Sequence, residues 1–153
     1  MNYGEITANI LNKFGIDERY KGFKYIISSI TFINKYGTDV LPVTKFLYSD
    51  VGKLYCTSRE CVERNIRKTI EIIWNKSDNF MLISEIFGQE NAHKKLSNFN
   101  FLLSLYKYIS AYDNKDLLYN HLKNNHKFTC PMSGMTCEFS DEFLKELICK
   151  IYL

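Results

Sequence analysis

Apolar residues recur along this chain at spacings of three and four, the period of helices packed by one face. A first helix is expected over about 5–14, with Ile6, Ile10, Leu11 and Phe14 on one side and Gly15 as its stop. A second, over about 19–36, carries Phe23, Ile26, Ile27, Ile30 and Ile33 and ends at Gly37. A short helix after Pro42 takes in Phe46 and Leu47, followed by a compact helix at about 49–55 and a longer one at about 58–75. Further helices are expected at about 80–87, stopped by Gly88, and at about 98–111, 113–125 and 140–152. The last two flank an irregular stretch, HKFTCPMSGMTCEF. No alternation of apolar and polar residues runs long enough to compete as a strand. The expected fold is all-α, a multi-helix bundle.

The segment 49–75 has the parts of a helix-turn-helix, with a scaffold helix at about 49–55 and a recognition helix at about 58–75. Val51 and Leu54 are expected to face inward and Asp50 and Lys53 outward, before a tight connection through Tyr55, Cys56 and Thr57. Thr57 and Glu60 stand in the capping-box relation, which starts the longer helix sharply and offers its first amides to a phosphate. Val62, Ile66, Ile70 and Ile73, joined by Trp74, form its core face. Glu60, Glu63, Arg64, Arg67 and Lys68 lie opposite, in the half that would enter a major groove. Arginine can donate twice to guanine, and glutamate can accept from cytosine or hold an arginine in place. Arg59 and Lys68 suit phosphates. The same pattern also describes an ordinary solvated helix face with i, i+4 pairs, and periodicity alone leaves both readings open.

Composition narrows the classes. The 153 residues, 46% hydrophobic and 24% charged, suit one globular domain or one with an appendage. No apolar run approaches the roughly 18 residues of a membrane span, and the N-terminus lacks the order of a secretory signal. The expected location is the cytoplasm, at the nucleoid. Five scattered cysteines suggest no disulfide framework and are expected to be mostly small apolar fillers. Residues 1–107 hold 15 Lys and Arg against 11 Asp and Glu, whereas 108–153 hold 5 against 6. A phosphate-binding surface is therefore expected in the first part. Polarity rises at Ala111–Asn114, which suggests a domain over 1–110 and a helical extension over 111–153.

The chain has no phosphate loop, nucleophile elbow or recognisable carboxylate pair, and His93, His121 and His126 stand unanchored. Neither an enzyme nor a small-molecule substrate is expected. The order His121, His126, Cys130, Cys137 does not follow the usual zinc spacings, so no metal or other cofactor is expected. In the last helix, Phe143, Leu144, Leu147, Ile148 and Ile151 form a stripe that is either a packing face or a partner surface.

Several segments in order, ILNKFGI at 10–16, YKGFKYIISSI at 20–30, VTKFLYSDVGKLY at 43–55, VERNIRKTIEIIW at 62–74 and ISEIFG at 83–88, carry a family resemblance. Together they resemble the C-terminal DNA-binding domain of stage zero sporulation protein A, a response regulator of endospore-forming firmicutes, in register over about 5–109. The resemblance implies a double-stranded DNA partner, with Glu63, Arg64 and Arg67 reading bases. It also implies that Thr57, Ser58 and Lys68 approach phosphates, and that Lys94 and Lys95 form a basic loop contact. Lys68 replaces a histidine, and Glu60 and Cys61 stand where Ser and Arg are expected, a departure that bears on which DNA is preferred.

The resemblance covers only the effector half of the regulator, so a transcriptional regulator acting without receiver phosphorylation is expected. Related domains sit in tandem on DNA, which implies a DNA-assembled homodimer. The alternative is an interaction module or decoy that antagonises a full-length sporulation regulator, through a mixed dimer or by occupying its sites.

Overall fold

A computed structural model describes the backbone of residues 2–37, 44–125, 128–129, 136–137, 142, 145–146 and 148–149; side chains are described for 2–37, 46–114 and the same positions from 142 onward. Among the described residues the fold is all-α, apart from a two-residue antiparallel pair. The helices are α1 (Tyr3–Lys13), α2 (Lys21–Tyr36), α3 (Thr44–Leu54), α4 (Arg59–Asn75), α5 (Phe80–Phe87), α6 (Gln89–Ala92) and α7 (Asn98–Asn125). A 3-10 turn, Ser77–Asn79, leads into α5, and the strands β1 (Phe128–Thr129) and β2 (Thr136–Cys137) lie within the stretch read as irregular. The chain divides into two compact units, Met1–Ile109 and Ser110–Leu153. No described helix is long and apolar enough to cross a membrane.

Three expectations need correction. The short helix after Pro42 and the compact scaffold helix are one helix, α3, because nothing between Thr44 and Leu54 breaks it and Leu47, Tyr48 and Val51 share one buried face. Leu54, expected inward, is exposed; it stands at the edge of that face in the helix's last position. The two helices expected at about 98–111 and 113–125 are one continuous helix, α7. Polar residues lower helix propensity only slightly, and neither Gly nor Pro stands between 98 and 125. The helix expected over 140–152 lies mostly outside the described residues.

In the first unit the ends of α1 and the end of α4 are held by identifiable groups. The Asn2 side chain accepts from the amides of Gly4 and Glu5 and starts α1. At the other end Gly15 takes the left-handed backbone (φ 72°), and Lys76 donates to the carbonyls of Phe14 and Gly15. The buried Asn79 amide donates to Phe14 and Ile73, tying the end of α1 to the end of α4. Trp74 donates from its indole to the Asn91 carbonyl (2.9 Å) and its ring lies against Phe87 and Phe101.

The centre of this unit is the contact of α2 with α4. Gly22 is buried, and a Cβ there would lie 2.0 Å from the Thr69 hydroxyl and 2.6 Å from the Asn65 carbonyl. Close approach lets Phe23, Ile26, Ile30 and Ile33 meet Val62, Ile66, Ile70 and Ile73 in one core. Gly22→Ala is expected to destabilise the fold by roughly 1–3 kcal/mol through overpacking. Urea denaturation checks this; an unchanged midpoint would mean the helices do not meet at that distance.

Candidate nucleic-acid interface

The turn between α3 and α4 is tight because the chain gives up side-chain volume where it doubles back. Gly52 accepts at its carbonyl from the Thr57 amide (2.9 Å), and a Cβ on it would lie 2.7 Å from the Thr57 carbonyl. Cys56 takes the left-handed backbone (φ 51°), uncommon for a residue with a Cβ. Tyr55 is locked to α2 through its hydroxyl, which shares a 2.8 Å hydrogen bond with Ser28.

Recognition helix α4 starts one residue later than a Thr57–Glu60 capping box requires. Ser58 is its N-cap, and its hydroxyl oxygen accepts from the Cys61 amide (3.2 Å). Thr57 is half-buried, with its hydroxyl hydrogen-bonded to the Cys61 sulfur. That bond, followed by the nearby charges of Arg64 and Lys21, holds the Cys61 thiol below its ordinary range. Glu60 is instead the second helical residue. Its carboxylate accepts from its own backbone amide and lies by Arg59 (3.2 Å), and both lower its pKa, so it is fully ionised at neutral pH. The described cysteines are not apolar fillers either: Cys56 and Cys149 are exposed and Cys61 is half-buried, because they occupy a turn and outer helix positions.

Beyond the first turn, the inner face of α4 buries Val62, Ile66, Thr69, Ile70 and Ile73, leaving Glu60, Arg64, Arg67 and Lys68 exposed. The two flanks of this outer surface differ in charge. On one, Arg67 donates to Glu63, one turn back, and Lys95 donates to Glu71 (2.8 Å). Asn98 donates to the Glu63 carbonyl (3.0 Å) and joins the start of α7 to α4. A cavity of about 410 Å³ opens between them, lined by Tyr48, Arg59, Glu63, Arg67, Lys95 and Asn98 among others. Burial pushes the Tyr48 phenol up, and its hydrogen bond with Asn98 works against that. On the other flank Arg64 and Lys68 have no carboxylate within ion-pair distance among the described residues.

Residues 7–109 match the family described as Sporulation initiation factor Spo0A C terminal. The chain belongs to that family. The match covers well over half of the sequence and runs from within α1 through α6 and into α7. Spo0A C-terminal domains are the helical, DNA-binding effector part of a sporulation response regulator. In this member of the Spo0A C-terminal family, Glu63, Arg64 and Arg67 come together on the outer surface of α4, and Ser58 and Thr57 stand at its start. Lys94 is exposed in the loop before α7, and Lys95 of the same loop is tied to Glu71.

Sequence reasoning missed Glu71 and Asn98, which hold that loop and the start of α7 against the recognition helix. Glu71 was discoverable, since it lies one turn beyond Arg67 on the same outer face. Asn98 carried no local signal, because its partner is 35 residues away. Ser58→Ala is expected to lower stability by about 1 kcal/mol through loss of the cap. Denaturant midpoints check it, and an equal loss on Thr57→Ala without one on Ser58→Ala would restore the capping box.

Proposed function

We propose that this chain is a sequence-specific transcriptional regulator that reads double-stranded DNA with the outer surface of α4. The observation that carries the reading is the arrangement on α4: Arg64 exposed without a carboxylate, Arg67 held by Glu63, and an inner stripe that fixes the helix in the core. Arg64 and Arg67 are the base readers, with Glu63 orienting Arg67 or accepting from a cytosine amino group. Ser58, Thr57, Arg59, Lys68, Lys94 and Lys95 meet phosphates and set affinity. The nucleoid is the working place of such a domain, and two copies bind in tandem on their site.

Arg64→Ala and Arg67→Ala should each lose roughly 1–3 kcal/mol of binding to the preferred site and relax its specificity. Lys68→Ala should weaken binding evenly across sequences and lower the salt slope by about one. Selection of bound duplexes from a random pool, followed by titration at several salt concentrations, measures both. Purified protein with no preference for any duplex at moderate salt would end this reading.

One observation favours a second reading. Glu60 places an ionised carboxylate at the end of α4 that meets the DNA backbone, which repels phosphate. A domain weakened in this way would serve as a decoy or as an interaction partner of a full-length regulator. Glu60→Gln separates the two. Tighter binding with the same site preference supports a tuned reader, whereas co-purification with the full-length regulator regardless of Arg64→Ala supports the modulator.

A further inference from the structure

We propose that α2 is a second DNA-contacting element, in which Lys21 and Lys24 hold the sugar-phosphate strand along one edge of the major groove that α4 enters. The inference rests on the DNA-binding reading of α4 and extends its interface to a helix outside the helix-turn-helix.

Lys21 and Lys24 are exposed, one turn apart at the start of α2, and that first turn holds no acidic residue. Both abut the groove-entering end of α4. The Lys24 ammonium lies 4.8 Å from the centroid of the Tyr55 ring, in the connection between α3 and α4. The Tyr55 hydroxyl bonds to Ser28 and to the Lys24 carbonyl, so turn and helix form one surface. Lys21 is close enough to Cys61, in the first turn of α4, for its charge to act on the thiol. The Gly22 contact that brings α2 against α4 also leaves a cleft of about 230 Å³ beside it, lined in part by Lys21, Asn65 and Lys68.

Charge decides which flank of α4 this is. On the α7 side Arg59, Arg67 and Lys95 are each paired with a carboxylate, Glu60, Glu63 and Glu71. On the α2 side Lys21, Lys24 and Lys68 have no carboxylate within ion-pair distance among the described residues, and Arg19 alone is neutralised, by Asp17. Apart from Arg64 on α4 itself and Lys94 in the loop before α7, the uncompensated positive charge near α4 among the described residues therefore lies along α2 and at Lys68. A phosphodiester strand fits it, because evenly spaced single negative charges meet mobile ammonium groups without needing a fixed geometry.

The test is the salt dependence of binding to the duplex selected by the wild-type chain, for Lys21→Ala/Lys24→Ala, for Lys35→Ala at the far end of α2, and for Arg64→Ala. Each neutralised phosphate contributes about 0.9 to the slope of log affinity against log salt. The double variant should lower that slope by about two while keeping the wild-type site preference, and Lys21→Arg/Lys24→Arg should restore it. Lys35→Ala should leave it unchanged. A slope unaltered in the double variant, while Arg64→Ala still loses site preference, overturns the role of α2 and leaves the reading of α4 standing. An equal fall in Lys35→Ala also overturns it, since the effect would then be one of net charge. Wild-type protein without duplex preference fails at the earlier step and removes both.

Discussion

At Gly22 no side chain separates α2 from α4, and the helix backbone rests against the Thr69 hydroxyl and the Asn65 carbonyl. The rest of the first unit depends on this approach. It lets the apolar stripes of two helices merge into one core, so that α4 is gripped along its inner face and cannot roll. A recognition helix that rolled would present a different set of side chains, since neighbouring positions on a helix point well apart. The packing that stabilises the domain is thus also what fixes which residues face outward. The same approach brings Lys21 beside the first turn of α4, so fold and interface share one contact.

Three carboxylates on α4 have different physical consequences. Glu63 pairs with Arg67 one turn along the helix, and Glu71 ties Lys95 and its loop to the surface. Exposed pairs like these add little to stability, and their effect is to restrict where the cations can be when DNA arrives. Glu60 is different, because its position in the first turn favours its charged form and that charge points toward where phosphate would approach. The outer surface of α4 is accordingly mixed in sign along one flank and positive along the other.

The helices α1, α2, α4 and α5 were legible within a few residues, because apolar period and stop glycines are local properties. Gly15, Gly37 and Gly88 each end a helix with the positive φ that only glycine adopts freely. The inner stripe of α4 was legible for the same reason, and with it the identity of the outward residues. Where local signals were weak, the reading failed. A helix end was expected between 111 and 113 although nothing there stops a helix, and two adjacent caps, Thr57 and Ser58, differ by one residue that only the chain's path into α4 decides.

By itself, then, the sequence determined a helical fold, a two-faced α4, the family and the cations available to a phosphate backbone. Only the tertiary structure decided which of those cations are neutralised. Glu71 meets Lys95 across 24 residues and Asn98 meets Glu63 across 35, whereas Lys21 and Lys24 reach the start of α4 from a separate helix. A charge's partner depends on distance in space, and the spacing of residues along a chain carries that information only within a turn or two of the same helix.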